Sequence, residues 1–241
     1  MQKAINFFAG LLKKLPIQFQ NKLFEIVLKY IPFWLLMRIP CSYSTYLKCS
    51  YPGKGDVIFD CGAHVGNCAI IFSRLVGTTG LVISLEPFEE AFSLLDNRLR
   101  RLKLDNVIAI QKGLWNKSDQ LPATVLSDTL YSRIDPEKIS EISESDTTIA
   151  VTTIDRVVEE LNLTRLDMIK MDIEGAEIEA LQGSANTLET LKPCLAIASY
   201  HRRNNEMTCR AVENYLIQKN YAAKTFFPPH LTTCAKYNYD K

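Results

Sequence analysis

Along the first fifty residues, apolar positions recur at helical intervals. Phe19, Leu23, Ile26, Val27 and Tyr30 share one face, and Lys22, Glu25 and Lys29 share the other. Pro16, Pro32 and Pro40 break this stretch into short helices. From residue 56 the pattern changes to short apolar runs alternating with amphipathic stretches. The runs 57–60, 81–86, 106–111, 167–172 and 194–200 predict strands. The stretches 65–76, 88–103, 152–161, 175–188 and 205–219 predict helices, with Phe92, Leu95 and Leu99 marking the inner face of the second and Thr153 or Thr152 capping the third. Residues 222–227 and 234–239 predict a closing antiparallel pair, with Pro228, Pro229 and His230 in its turn. Five β-α units followed by a hairpin imply an α/β fold: a doubly wound, mostly parallel sheet with helices on both faces. Ligands in such sheets lie beyond the carboxyl ends of the strands, where the strand order reverses.

Two regions stand apart. Residues 114–150 fit no β-α unit and carry seven acidic residues against Lys117, Arg133 and Lys138. They read as a functional or disordered insert with room for a small hairpin pairing 121–126 with 147–151. Residues 1–50 carry seven basic residues against Glu25 alone. This arm is expected to pack its apolar face on the main domain, 51–241, or to lie peripherally on an anionic membrane surface. Its uncharged stretches, 30–37 among them, fall far short of the roughly 20 apolar residues of a spanning helix. The net charge of +1 gives no electrostatic case for a nucleic-acid binder. The seven cysteines form no CxxC pair, which argues against a disulfide framework or zinc knuckle and for a reducing, cytoplasmic setting. Cys61, Cys68 and Cys194 fall in predicted core segments.

The strongest local signal is Asp60-Cys61-Gly62-Ala63-His64-Val65-Gly66-Asn67, placed directly after a strand and opening a helix. Gly62 and Gly66 let the backbone turn sharply near a ligand, and the helix offers unpaired N–H groups. The spacing is not G-x-G-x-x-G, which speaks against an NAD-dependent oxidoreductase. Glu86 ends the second strand, where a carboxylate can accept from both hydroxyls of a ribose. A nucleoside site follows from the two together. Asp60 at the first strand's tip suits the cationic tail of S-adenosylmethionine (SAM) better than a pyrophosphate. His64 and Asn67 read chiefly as turn residues, with Asn67 grouped beside Asp60, Gly62, Ala63, Gly66 and Glu86 as the border of the cofactor.

These blocks, with Glu86-Pro87, Val151-Thr152-Thr153-Ile154-Asp155 and Ile169-Lys170-Met171-Asp172-Ile173-Glu174-Gly175-Ala176-Glu177, occur in an order that resembles the FkbM-type methyltransferase family over roughly residues 50–225. The resemblance implies a class I, Rossmann-like, SAM-dependent methyltransferase. It implies O-methylation of a sugar or other small metabolite, with Asp60, Gly62, Ala63 and Gly66 lining the SAM pocket and Glu86 holding the ribose. Asp172 and Glu174 would sit where cofactor and acceptor meet. Where many members end the next strand in Glu and then His, this chain reads Ala198-Ser199-Tyr200-His201, which puts the acceptor chemistry and any metal role in question.

An alcohol attacks a sulfonium methyl only as its proton leaves, so a general base helps. Asp172, His201 and Glu174 are the candidates, His201 for its natural pKa and Asp172 for its place at a strand end. Asp172 could equally cap the following helix, and Glu174 and Glu177 could simply favour its N-terminus. Arg202 and Arg203 could contact an anionic acceptor. Asp172, Glu174 and His201 could bind a divalent cation only if their side chains converge, and no metal is assigned from sequence. The competing readings are a non-catalytic SAM-binding protein of this fold, suggested by Ser199, and a methyltransferase acting on RNA or protein.

Overall fold

The computed structural model describes residues 16–30, 42–125, 132–134, 148–203, 205–227 and 230–239. Most of the proposed arm before residue 42, the centre of the acidic insert, and Pro228 and Pro229 of the closing turn lie outside these. In chain order the elements are α1 (Ile17–Tyr30), α2 (Ser42–Cys49), β1 (Val57–Cys61), α3 (Asn67–Val76), β2 (Leu81–Leu85), α4 (Glu89–Leu102), β3 (Val107–Ile110), β4 (Gly113–Leu114), β5 (Asp119–Val125), β6 (Ser132–Ile134) and β7 (Thr148–Thr152). They continue with α5 (Ile154–Glu160), β8 (Met168–Met171), α6 (Glu177–Gln182), α7 (Ala185–Thr190), β9 (Cys194–Ala198), β10 (Arg202–Arg203), β11 (Glu206–Met207), α8 (Cys209–Gln218), β12 (Tyr221–Phe226) and β13 (Thr232–Tyr237).

Seven strands form the central sheet in the order β12-β13-β9-β8-β1-β2-β3. All pairs from β9 to β3 are parallel, and β13 pairs antiparallel with β9 and β12. The order reverses between β1 and β8, which fixes where a ligand cleft opens. Successive strand residues face opposite sides. Ile58, Val82, Met168 and Ala196 pack with Tyr46 and Leu47 of α2 and with Ile70 and Phe72 of α3. Phe59, Ile83, Ile169 and Leu195 pack with Ile154 of α5, Leu181, Leu188, Val212 and Leu216. The strands read as continuous apolar runs because both faces are covered.

Several boundaries differ from the sequence pattern. The predicted helix 175–188 is two helices, because Asp155 accepts hydrogen bonds from the Asn186 and Thr187 amides and starts α7 anew. The predicted helix 205–219 begins only at Cys209. The β10–β11 hairpin precedes it, closed by the Thr208 amide donating to the His201 carbonyl. The insert holds a second sheet, β4-β7-β5-β6, in which Leu121 pairs with Ile149. Thr153 caps α5, its hydroxyl accepting from the Arg156 amide.

Two expectations are corrected. Helix α1 turns the other way: Asn21 and Glu25 are buried, while Phe19 and Ile26 are exposed. Glu25 faces inward because Arg98, itself buried on α4, needs an anion, and Glu25 lies 3.0 Å from it and 2.7 Å from Arg101. Nor are all the cysteines free. The packing of α2 against β13 brings the Cys49 and Cys234 Cα atoms within 5.1 Å, and their sulfurs are bonded. Cys61 and Cys68 are buried thiols, and Cys194 is only partly buried. Among the described residues, no helix is long and apolar enough to cross a membrane.

Candidate functional site

The turn after β1 is shaped by close packing. Gly62 has φ +73°, and a Cβ there would stand 1.9 Å from the Asp172 carbonyl oxygen. Gly66, at φ +85°, starts α3 with no side-chain cap, and a Cβ would meet Leu95 at 2.5 Å. These glycines therefore let the first loop lie against the loop after β8 and against α4. Ala63 is buried beside Leu95 and Leu99. Asn67 is braced from both sides, its amide donating to the Tyr43 hydroxyl at 2.8 Å and its oxygen accepting from Arg98 at 2.9 Å.

Asp60 is fully buried and paired with Lys170, its register partner on β8, at 2.9 Å. The Lys170 ammonium also donates to the carbonyls of Cys61 and Gly62. Burial alone would strip its proton; the Asp60 carboxylate reverses this and holds the ammonium charged, above the usual lysine range. Asp60 thus holds Lys170 beneath the turn, although burial raises its own pKa and the Lys170 ammonium offsets this only in part. Glu86 at the end of β2 accepts from the His64 amide at 2.8 Å and the Phe88 amide at 3.2 Å. Each oxygen keeps a lone pair, and burial pushes the carboxyl up to about 7.

Asp172, Glu174 and His201 converge at the ends of β8 and β9. One ligand-type atom from each lies within 4.8 Å of the others. The Nε2 of His201 stands 3.5 Å from both Asp172 Oδ1 and Glu174 Oε2. Its Nδ1 lies 2.8 Å from Oε1 of Glu177, a fully buried carboxylate that also accepts from the Gly175 amide. Burial opposes charge on His201, but Glu177, Asp172 and Glu174 outweigh it and raise its pKa above the usual value. Asp172 accepts from the Tyr46 hydroxyl at 2.9 Å and the Tyr200 hydroxyl at 3.3 Å. Desolvation and the Asp172 charge keep both phenols protonated, and so donors. His230 packs edge-on against Tyr200, with ring centroids 4.9 Å apart. Arg203 is committed to Glu179 at 2.7 Å, while Arg202 is exposed.

Sequence reading missed four contributors. Tyr46 lies outside the motifs, 126 positions from Asp172, and no local signal marks it. Tyr200 adjoins His201, and Lys170 sits two residues before Asp172, so strand alternation could have flagged both. Glu177 was read only for helix polarity, yet it supplies the acid that the sequence lacks beside His201. Ser199 is fully buried, bonded to the Thr233 hydroxyl at 2.8 Å, and does not reach the cluster.

The family profile described as Methyltransferase FkbM domain matches residues 60–224. A hexuronic acid methyltransferase of Haloferax volcanii, AglP, is 28% identical over 141 residues, which cover 57% of this chain and 54% of that protein. The chain therefore spans about half the length of this curated relative. Among solved structures, Methyltransferase FkbM from Methylobacillus flagellatus superposes with TM-score 0.60 at 21% identity, over 81% of this chain and 48% of the other. A SAM-dependent methyltransferase from Aquifex aeolicus gives TM-score 0.50 at 16% identity, over 88% and 97%. These structural likenesses bear on the fold: a mostly parallel, Rossmann-like sheet of the methyltransferase type.

Proposed function

Because this chain belongs to the FkbM methyltransferase family, we propose that it O-methylates a hydroxyl of a sugar or similar small metabolite, with SAM as donor. One observation carries the reading: Asp172, Glu174 and His201 converge at the strand ends beside the point where strand order reverses. The donor fits the residues present. Glu86 offers two partly used carboxylate oxygens to ribose hydroxyls, and the uncapped start of α3 borders the same loop. When bound, SAM supplies an electrophilic methyl carbon whose bond to sulfur breaks as the acceptor oxygen attacks.

The chain's residues do the rest. Lys170 holds the turn below the donor. Tyr46 and Tyr200 fix the Asp172 carboxylate, and Glu177 fixes the His201 ring, so the cluster meets the acceptor preformed. The acceptor's proton is drawn off there. Two neighbouring carboxylates favour a neutral hydroxyl over an anionic oxygen. A hexuronic acid, the acceptor class of the Haloferax relative, offers both kinds.

With methyl-labelled SAM, we expect label to enter a hexuronic acid glycoside or its neutral counterpart as an alkali-stable ether, and Asp172→Ala to stop transfer while SAM still binds. A folded protein that binds no SAM overturns the reading; an alkali-labile product shows carboxylate esterification instead. Glu177 beside His201 removes the motive for a non-catalytic reading. For the N-terminal arm we propose peripheral contact with anionic membrane through exposed Phe19 and Ile26 beside Lys22. Co-flotation with anionic but not neutral vesicles, lost in Phe19→Ser/Ile26→Ser, is the expected outcome.

A further inference from the structure

His201 is 8% exposed, and its Nε2 has no hydrogen-bond partner although it points between two carboxylates. Glu177 accepts from Nδ1–H when the imidazole is neutral, which leaves the Nε2 lone pair facing the oxygens of Asp172 and Glu174. Lone pairs arranged this way repel unless a proton on Nε2 or a metal cation lies among them. A carboxylate behind the distal nitrogen of a histidine is the usual support of a metal-binding imidazole, and hydrogen bonds to a ligating carboxylate are the second part of that support. Tyr46 and Tyr200 provide the latter at Asp172.

We propose that Asp172 Oδ1, Glu174 Oε2 and His201 Nε2 form a binding site for one divalent cation of the Mn²⁺ or Mg²⁺ kind. Ligand atoms about 2.1 Å from such an ion stand about 3.0 Å apart at right angles and about 4.2 Å apart when opposite. The two 3.5 Å separations lie inside that range, and Glu174, 39% exposed at its side chain, can swing to complete the set. One nitrogen and two carboxylates suit a hard-to-borderline ion and leave positions open. Resting on the methyltransferase reading, those positions would take two neighbouring oxygens of the acceptor, a vicinal diol or a hydroxyl beside a uronic carboxylate. The ion would offset the repulsion that the acidic cluster otherwise presents to the latter. His201 then acts as a ligand rather than as the base, and the hydroxyl, acidified by the cation, gives its proton to solvent water.

The test titrates Mn²⁺ alone into the full chain, followed by calorimetry and electron paramagnetic resonance. We expect one site, competed by Mg²⁺, with histidine-nitrogen hyperfine coupling that His201→Gln abolishes. Glu177→Gln should weaken binding roughly 10–100-fold. Glu174→Gln, at a half-exposed side chain, keeps the test open should the buried variants fail to fold, and it should also weaken binding. No Mn²⁺ bound to folded wild type at millimolar concentration, or unchanged binding in Asp172→Asn and Glu174→Gln, overturns the proposal. Methyl transfer that survives chelation overturns it while sparing the methyltransferase reading. Mn²⁺ binding without methyl transfer supports the site and fails only that reading.

Discussion

Glu86 and Lys170 illustrate how burial sets the behaviour of single groups at this site. Burial raises the Glu86 carboxyl to about 7, so between roughly pH 4.5 and 7 the folded chain binds a proton that the unfolded chain does not. Stability from this group therefore rises as pH falls through that window. Affinity for SAM should move the opposite way, weakening by about 1–3 kcal/mol as the charged acceptor is lost between pH 8 and 6. Calorimetric titrations at several pH values check this, and a Glu86→Gln protein should show a flat profile. Lys170 is the reverse case, a cation kept charged by one buried partner. Lys170→Met leaves Asp60 uncompensated and should cost about 3–5 kcal/mol in urea unfolding. Adding Asp60→Asn should recover most of that loss; no recovery would mean that the carbonyl contacts of Lys170, not its charge pairing, carry its role.

Among the elements, α1 and α2 act as struts beneath the functional loops. Glu25 reaches Arg98, Arg98 reaches the Val65 carbonyl and Asn67, and Tyr43 reaches Asn67. Glu25→Gln should destabilise the fold by about 3 kcal/mol, because it leaves Arg98 buried without its anion. Burial raises the Glu25 pKa, but Arg101 and Arg98 outweigh it, so the folded value lies below the unfolded one. Its contribution is thus present above about pH 4.5 and lost as pH falls through the depressed folded value, an acid-limb shift that Glu25→Gln should remove. The sheet, its helices and the terminal hairpin were legible in the sequence because strand and helix periods are local. Asp60, Glu86, Asp172, Glu174 and His201 were legible as residues at strand ends. The outward turn of Phe19 and the reach of Tyr46 were not, since each depends on a partner more than seventy positions away. The helix break before α7 was hidden for a similar reason, as its cap comes from Asp155 in an earlier element.

Across the whole molecule, the bond between Cys49 and Cys234 closes a loop over a sequence separation of 185. Restricting the unfolded chain this way contributes up to about 4–5 kcal/mol. Thermal unfolding with and without reductant should show a correspondingly lower Tm for the reduced protein, and Cys49→Ser should match it; equal Tm values would mean that the two sulfurs are not bonded in solution. Both cysteines, with Tyr46 and His230, flank the 60–224 region that defines the family. The segments before and after that region therefore meet over the strand ends, and each lends an aromatic ring to the wall around Asp172. From Cys49 to Cys234 the backbone is a covalent ring. A single cut in the acidic insert would open that ring without freeing either piece, because Cys49 on one side of the cut stays bonded to Cys234 on the other and β1 stays paired along its edge with β8. The two fragments would part only after reduction and unfolding together.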